Sequence, residues 1–271
     1  MLTIGQVARR VNVSVPTLRM WEERHGFPRP SRLESGHRRY LERHCQAVLE
    51  VVRLRASGLS LEVAIVRALR TAEPLQTSLF AGLRSRLPEL SPWIVQKRSL
   101  IAISRAFEDE CAVRAEPGVL VGSFQREHFY RASEPRWREL ARTSLTALVF
   151  ADFERFCEPP GAPAEIPLER TSPLQREWAI VWNGPGFGAC LAAWERPGQE
   201  SPADGRVFEA IWTVEPQHVW EATTIALGIA SVPAPDLAAR ARAQFEEPRL
   251  PGAETLRAAT SLTNRIVSYL A

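Results

Sequence analysis

The sequence predicts a multidomain protein in which a mainly α N-terminal domain precedes an α/β (α+β, mixed-sheet) domain. Three observations predict this fold class. Apolar residues recur at helical spacing through residue 72. Beyond that point strand-like apolar runs alternate with helical ones, and the runs WAIVW and ACLAAW flank a short glycine-rich turn typical of a hairpin. The chain has 271 residues, 45% of them hydrophobic, which is enough for two domains with buried cores.

The formal net charge of +3 hides an asymmetry between the two parts. Residues 1–70 contain thirteen arginines and six acidic residues, whereas residues 71–271 contain twenty-one basic and twenty-five acidic residues. A basic N-terminal part followed by an acidic remainder indicates that the N-terminal part binds a polyanion. Lys97 is the only lysine, so nearly all of the positive charge is guanidinium, which suits bidentate phosphate or guanine contacts.

Two short helices are predicted near the start of the chain. Thr3 and Gln6 can form a capping box for the first helix, which ends at Asn12. Ser14 can cap the second helix, and Gly26 ends it. Two short helices separated by about three residues form a helix-turn-helix, whose second helix reads the major groove of DNA.

A basic hairpin, or wing, is predicted to follow this helix-turn-helix. Residues 31–32 and 37–40 can pair across a turn at residues 33–36. A third helix over residues 41–56 and a fourth over residues 61–72 complete the first domain. Four apolar positions are assigned to the third helix: Val48, Leu49, Val52 and Leu54.

This N-terminal part resembles the MerR family of bacterial regulators. The matching stretches are LTIGQVARRVNVSVPTLRMWEERHGF, SGHRRY and GLSLEVA, all within residues 2–70. The form LRMWEERHGFPRPSR is particularly similar to the cobalamin-dependent photoreceptor branch, although the sequence contains no Asp-x-His-x-x-Gly cobalamin signature. The cysteines of the family's metal sensors are also missing, because the four cysteines of this chain stand far apart.

The resemblance implies which residues contact double-stranded DNA. The recognition helix and its start would contribute Ser14, Thr17, Arg19, Met20 and Arg24. The wing would contribute Arg32, His37, Arg38, Arg39 and Tyr40. Most such contacts position the protein, and few specify sequence. Two of these residues have an alternative role, Ser14 as a helix cap and Tyr40 in core packing.

The long dimer helix of the family is interrupted in this sequence. Pro74 follows the fourth helix, and the next helical stretch, residues 75–87, ends at Pro88. The dimer helix is therefore short or replaced, although two-fold symmetric DNA sites still favour a homodimer. A C-terminal helical segment, residues 235–271, is expected to pack on the second domain or, slightly favoured, on a partner chain. Its predicted apolar face contains Leu256, Ala259, Leu262, Ile266 and Leu270.

The second domain resembles the DICT sensory domain of bacterial signalling proteins. The stretches that carry this resemblance are LIAISRAFEDE, FADF, PLQREWAIV, CLAAWERPG and FEAIWTVEP. We expect the first domain over residues 1–72 and the DICT-like domain over residues 73–234. About five or six strands are predicted in it, with CEPPGAPAEIP as a loop.

Tryptophans on and beside this sheet either build the core or line an apolar pocket for a small effector. The candidates are Trp178, Trp182, Trp194, Trp212 and Trp220, with Glu177, Arg196 and Glu209 at the pocket edge. The glycine-rich NGPGFG is interpreted as a hairpin turn rather than a phosphate loop, because a strand follows it. The acidic run FEDE, residues 107–110, is expected at a solvated helix end rather than in acid/base catalysis.

These observations predict a transcription regulator whose second domain senses a small effector of unknown identity. Promoter distortion and contact with RNA polymerase are implied by the family resemblance. No HExxH, GxSxG or CxxC motif occurs, and neither enzymatic activity nor a resident cofactor or metal is expected. We see neither a membrane span nor a signal peptide, so a cytoplasmic location is expected. A protein-interaction adaptor and an enzyme with a DNA-binding tether are the alternatives, and activation and repression are both open.

Overall fold

The computed structural model describes residues 2–32, 38–72, 76–199, 205–244 and 252–271, with the backbone alone at residues 31–32, 42–43 and 69–72. The chain divides into two compact units, Met1–Leu75 and Gln76–Ala271. Residues 235–271 thus belong to the same unit as the sheet, and the domain boundaries at residues 72 and 234 stay predictions. Within the described ranges, no helix is both long and apolar enough to cross a bilayer.

The N-terminal unit consists of helices and one small hairpin. Its helices are α1 (Ile4–Val11), α2 (Val15–His25), α3 (Glu42–Ala56) and α4 (Leu61–Ala72). Its strands, β1 (Ser31–Arg32) and β2 (Arg38–Arg39), pair antiparallel with Ser31 opposite Arg39. The predicted helical head with its hairpin is therefore confirmed. Residues 33–37, which include the predicted turn, lie outside the described residues.

Local sequence signals set the ends of the first two helices. The Thr3 N–H donates to the Gln6 side chain at 2.8 Å, and the Gln6 N–H donates to the Thr3 hydroxyl at 3.4 Å, which completes the predicted capping box. At the start of α2, the Thr17 N–H donates to the Ser14 hydroxyl at 3.2 Å. Gly26 ends α2 in the left-handed conformation, with φ of 64°, which favours glycine.

One apolar core holds the N-terminal unit together. Its buried side chains include Val7, Val11, Leu18, Trp21, Phe27, Tyr40, Val48, Val51, Leu54 and Ile65. Leu49 and Val52, assigned to the apolar positions of the third helix, are instead 48% and 37% exposed. Val51 takes the inward position, because it shares a helix face with Val48 and Leu54.

The second unit is a mixed sheet between two layers of helices, which confirms the predicted α/β class. Its helices are α5 (Leu79–Arg86), α6 (Lys97–Arg114), α7 (Glu127–Thr143), α8 (Pro216–Ala230), α9 (Pro235–Arg242) and α10 (Ala253–Leu270). Its strands are β3 (Trp93–Gln96), β4 (Val119–Phe124), β5 (Thr146–Ala151), β6 (Ala164–Pro167), β7 (Glu177–Asn183), β8 (Gly188–Glu195) and β9 (Val207–Thr213). The order across the sheet is β3-β9-β8-β7-β4-β5-β6, with β4, β5 and β6 parallel and the other neighbours antiparallel.

Alternation along the strands divides the apolar side chains between the two helical layers. On β8, Cys190 and Ala192 face α5, α8 and α9, whereas Leu191 faces α6, α7 and α10. Gly122 in β4 lies against Trp137 of α7, and a Cβ at this glycine would be 2.5 Å from the indole ring. Glycine is therefore required there by the close approach of a large buried side chain.

Two elements of the second unit differ from the sequence prediction. β6 lies in CEPPGAPAEIP, which was predicted as a loop, and pairs parallel with β5 from residue 164 onwards. This strand has only four residues and follows three prolines, so its alternation of apolar and polar residues is too short to predict a strand. The helix predicted from residue 75 begins at Leu79, because the Ser78 hydroxyl caps it by accepting from the Ala81 N–H at 2.9 Å.

The C-terminal helix α10 has a different inward face from the one predicted. Ala258, Leu262 and Ile266 are buried against the sheet side that carries α6 and α7. Leu256 and Leu270 are instead 70% and 49% exposed. The helix thus packs on the second domain of its own chain. This was the less favoured of the two alternatives, the other being a contact with a partner chain.

Candidate functional sites

Helix α2 presents part of its predicted DNA-contacting set to solvent. Arg19 and Arg24 are exposed, and Thr17 and Met20 are half-buried, Met20 against the core. The Ser14 hydroxyl lies 2.7 Å from that of Thr17 and caps the helix, as its alternative role predicted. Within the predicted set on α2, the exposed charged residues are therefore Arg19 and Arg24, five residues apart.

The wing strand β2 leads from exposed arginines into the core. Arg38 is exposed, Arg39 is half-buried, and Tyr40 is fully buried. The backbone of Tyr40 exchanges two hydrogen bonds with that of Leu2, at 2.7 and 2.9 Å. Burial agrees with the core-packing alternative for Tyr40. His37 lies outside the described residues, as does the side chain of Arg32.

A carboxylate on α2 ties the recognition helix to the wing. The Tyr40 hydroxyl donates to Glu22 Oε1 at 3.1 Å, and Arg38 Nε lies 3.4 Å from Glu22 Oε2. Burial, followed by the neighbouring Glu22 carboxylate, raises the pKa of Tyr40 to about 12. Glu22 was not among the predicted site residues, although an acidic residue within such a basic stretch was the available signal.

The structure does not bring the five candidate tryptophans into one pocket. Trp178, Trp182 and Trp212 belong to the sheet side covered by α6, α7 and α10. Trp194 of β8 packs on the other side of the sheet. It pairs with Glu177 in the register of β7 and β8, and the side chain of Glu177 points to the other face from that of its neighbour Trp178. The expectation that these tryptophans surround a single ligand is therefore corrected. The fifth, Trp220, lies half-buried on α8, in the helical layer on the Trp194 side.

Glu177, predicted at the pocket edge, instead caps helix α5. Its carboxylate accepts hydrogen bonds from the N–H groups of Leu79 and Phe80 at 3.0 and 3.1 Å and from the Ser78 hydroxyl. These bonds satisfy donors that have no partner within the first turn of a helix. Burial of the carboxylate raises the pKa of Glu177. The residue positions α5 on the sheet and does not face an open pocket.

The other two predicted edge residues form an ion pair on the Trp194 side. Arg196 Nε lies 3.6 Å from Glu209 Oε1, and Glu209 is opposite Trp194 in the sheet register. The guanidinium of Arg176 covers the indole of Trp194, at 5.4 Å from the ring centroid. This surface is occupied by the protein's own charges.

A cleft of about 1180 Å³ opens on the other side of the sheet, between α6, α7 and the end of α10. Of the predicted pocket residues, only Trp178 lines it. Its other aromatic lining residues include Phe124, Phe129 and Tyr269. Its charged lining residues are Lys97, Arg98, Arg105, Arg136, Arg206, Glu108 and Asp109. This cleft was not predicted, because its aromatic and charged lining comes from α6, α7, α10 and separate strands, which only the fold brings together.

The acidic run at residues 107–110 is paired rather than solvated, so that expectation was wrong. Arg136 of α7 donates to both Glu108 and Asp109, and Trp137 Nε1 donates to Glu108 at 3.1 Å. Burial raises the pKa of Glu108. Burial also acts on Asp109, but hydrogen bonds from Tyr269 and Arg136 outweigh it and lower the pKa of Asp109. The two carboxylates join α6 to α7.

The same acidic run holds the C-terminal helix. The Ser261 hydroxyl donates to Glu110 Oε2 at 2.9 Å, and Arg265 Nη2 lies 3.5 Å from the same oxygen. Four residues beyond Arg265 along α10, the Tyr269 hydroxyl donates to Asp109. Because Tyr269 also lines the cleft, the end of α10 forms part of its wall.

Cysteine chemistry contributes little to these sites. Cys45, Cys111 and Cys190 are buried, and Cys157 is exposed. Burial raises the pKa of Cys111, and it raises that of Cys190 to about 12, so these thiols stay protonated at neutral pH. Across the described part of the chain, no three His, Cys, Asp or Glu side chains are grouped to hold a metal ion.

Known proteins match both units. A model described as MerR HTH family regulatory protein matches residues 2–69. The HTH-type transcriptional regulator CueR of Vibrio cholerae serotype O1 is 30% identical over 109 residues, which cover 40% of this chain and 77% of the relative. The chain belongs to the MerR family. This MerR-family chain is also 39% identical over 87 residues to the HTH-type transcriptional repressor CarA of Myxococcus xanthus, a match that covers 31% of the chain.

The CarA match covers only 30% of that relative, so the chain spans less than a third of its length. The DICT model, described as a sensory domain in diguanylate cyclases and two-component systems, matches residues 77–196. Both arginines of α2 and those of β2 fall within the MerR match. Most of the cleft falls within the DICT match, whereas Arg206 and Tyr269 lie beyond it.

Proposed function

We propose that this MerR-family protein regulates transcription by binding double-stranded DNA through α2 and the β1–β2 hairpin. The observation that carries the proposal is the exposure of Arg19, Arg24 and Arg38 on two elements joined by Glu22. A recognition helix in the major groove and a wing on the adjacent backbone need such a fixed mutual placement. Guanidinium groups suit both phosphate and guanine contacts.

The DICT domain in this proposal senses a small effector in the cleft between α6 and α7. Ligand pockets commonly measure roughly 300–1000 Å³, and the cleft, at about 1180 Å³, accommodates a whole small molecule. Tyr269 places α10 in contact with anything bound there. An effector can shift a conformational equilibrium only by contacting its two states differently. We propose that contact with α10 is how occupancy changes promoter binding or distortion.

The active form in this proposal is a homodimer that meets RNA polymerase at its promoter. Two-fold symmetric operators and fixed half-site spacing support two heads per complex. Helix α5 stands where the family's dimer helix was expected, and its Leu79, Phe80 and Leu83 are buried in the core of the second unit. We therefore expect the dimer contacts to be made by other elements.

DNA binding is tested by fluorescence anisotropy with a duplex obtained by selection from random sequence, titrated with salt. Each lost phosphate contact makes the slope of log K against log salt shallower by about 0.9. We expect this change for Arg38→Ala, and weaker binding for Arg19→Ala and Arg24→Ala. Arg53→Ala is the matched control, because Arg53 lies on α3 and pairs with Glu50 at 2.6 Å. Unchanged binding in all three interface variants would rule out this interface.

A second candidate function is that of a protein-interaction adaptor. Strand β3 lies at the sheet edge, and its Trp93 and Ile94 are 67% and 60% exposed. Exposed apolar side chains on an edge strand favour pairing with another chain. In this function the second domain binds a signalling partner rather than a small ligand, and a Trp93→Ser variant that loses regulation in cells while keeping DNA affinity supports it.

A further inference from the structure

Helix α6 contributes cations to the cleft that have no acidic partner. Arg98 and Arg105 are exposed, and they lie seven residues apart, with Ile101 between them on the same helix face. Within the described ranges, neither arginine forms an ion pair. Two guanidinium groups along one wall therefore face the space where a ligand would lie.

The acidic residues of the cleft do not neutralise these arginines. Glu108 and Asp109 both bind Arg136, which stands on the facing helix α7. Arg206, from the start of β9, pairs with Glu195 at 2.9 Å. Both acids of the lining are thus engaged by Arg136, and within the described residues neither forms an ion pair with Arg98 or Arg105.

Rigid aromatic rings form the apolar part of the lining. The Trp178 ring meets Phe208 edge to face, with centroids 6.4 Å apart and an interplanar angle of 89°. Phe124 is held in the same way by Trp137, at 5.0 Å. Rings fixed by such contacts offer a preformed surface for a planar ligand. Phe129 extends this surface, with Arg206 5.8 Å from its ring centroid.

One buried polar atom in the lining lacks a hydrogen-bond partner. Ser104 of α6 is 3% exposed, and its hydroxyl has no partner among the described residues. Buried hydroxyl groups in native proteins are almost always hydrogen-bonded. Ser104 directly precedes Arg105 on α6 and lines the cleft, so a polar group that a ligand places against this part of α6 lies beside a hydroxyl without a partner.

From the aromatic surface, the two unpaired arginines and the Ser104 hydroxyl, we propose that the DICT cleft binds a planar aromatic anion. The ligand carries its rings against Trp178 and Phe124 and its carboxylate, sulfonate or phosphate toward Arg98 and Arg105. This assignment rests on the proposed effector-sensing function and gives that function its ligand class. A neutral aromatic molecule would leave both guanidinium groups unpaired, and a cation would be repelled by them.

The test is calorimetric titration of the full chain with two probes of equal shape, 2-naphthoate and 2-naphthalenemethanol. Because charge-assisted hydrogen bonds are roughly twice as strong as neutral ones, we expect naphthoate to bind about tenfold more tightly. The double variant Arg98→Ala/Arg105→Ala should lose about tenfold in naphthoate affinity and keep the alcohol affinity within about twofold. Trp178→Leu should weaken both probes.

Arg142→Ala is the matched control, because Arg142 lies on α7 outside the cleft and pairs with exposed Glu139 at 3.3 Å. Its naphthoate affinity should equal that of the unaltered protein. The proposal is overturned if the alcohol binds as tightly as naphthoate, if the double variant retains full naphthoate affinity, or if neither probe binds.

Failure of the ligand class and failure of effector sensing are distinguished by adding DNA to the same samples. If naphthoate binds as expected but leaves the affinity for the selected duplex unchanged, the ligand class stands and the sensing role fails. If a compound of another chemical class displaces no naphthoate and alters DNA affinity, sensing stands at another site and the role of the cleft as the effector site fails.

Discussion

The hydroxyl of Tyr40 donates a hydrogen bond to the carboxylate of Glu22, at 3.1 Å. This bond joins the residue that closes the wing to the middle of the recognition helix. Tyr40 is fully buried, and its backbone is fixed by Leu2, so Glu22 is anchored from inside the domain. The same carboxylate then lies beside Arg38 at the surface. Exposed Arg38, one of the arginines proposed to contact DNA, therefore lies beside a carboxylate that is held by a buried residue.

The first prediction concerns this bond. Tyr40→Phe keeps the packing and removes the hydroxyl, and we expect unfolding free energy to fall by about 1–3 kcal/mol, because a partly buried carboxylate loses a donor. Urea denaturation followed by circular dichroism measures the change. Glu22→Gln keeps an acceptor for Tyr40 and should be milder. Equal stability of Tyr40→Phe and the unaltered protein would contradict the prediction.

The second prediction concerns the cap of α5. Glu177→Ala leaves the N–H groups of Leu79 and Phe80 without acceptors, and we expect a loss of about 1–3 kcal/mol. Glu209→Ala is the control, because half-buried Glu209 pairs with exposed Arg196, and ion pairs at the surface contribute about 0–1 kcal/mol. Thermal unfolding of both variants measures the difference. Similar losses in the two variants would show that the cap is unimportant.

Glu177 also predicts a pH dependence. Its folded-state pKa is raised above the ordinary glutamate value. In the window between the two pKa values the folded protein holds a proton that the unfolded chain releases, so stability falls as pH rises. The contribution of this proton to the free energy of unfolding is complete below the ordinary pKa of glutamate. It is lost as pH rises through the raised pKa of Glu177. Glu177→Gln lacks this titration, so we expect its stability relative to the unaltered protein to improve with pH across that window.

The third prediction concerns the approach of Trp137 to β4. Gly122→Ala places a methyl group 2.5 Å from the indole, and overpacking of this kind costs about 1–3 kcal/mol. Gly5→Ala is the matched control, because it lies in α1 with nothing within 4 Å of the added methyl group, and should stabilise by about 0.4–1 kcal/mol. Opposite shifts in melting temperature are expected. A neutral Gly122→Ala variant would mean that Trp137 moves freely.

The fourth prediction concerns the end of α10. Tyr269→Phe removes the bond to Asp109, and we expect amide exchange in residues 265–271 to accelerate roughly threefold to tenfold, as a net loss of about 1 kcal/mol implies. Hydrogen–deuterium exchange read by mass spectrometry measures it. Thr263→Ala, an exposed position on the same helix, serves as the control. If exchange in this segment is unaltered by Tyr269→Phe, the helix end is held by its apolar contacts alone.

The sequence predicted well where structure follows from local signals. The capping box at Thr3, the cap at Ser14 and the stop at Gly26 each act within a few residues, and all are present. The hairpin between β7 and β8 was equally local. The cleft was not predictable in this way, because Arg98, Arg136 and Arg206 come together only through the order of the strands. The side of the sheet that Trp194 occupies depends on register, which a single strand does not reveal.

Lys97 is the only lysine of the sequence, and it lines the cleft. Amine-directed reagents therefore have one side-chain target in this chain, at the candidate ligand site. Acylation of Lys97 can be followed in the peptide that contains it, separately from that of the α-amino group, and a molecule seated in the cleft should slow it. Lys97 thus serves as a footprinting position that the protein already contains. The occupancy of the cleft can be measured from its acylation without an engineered probe.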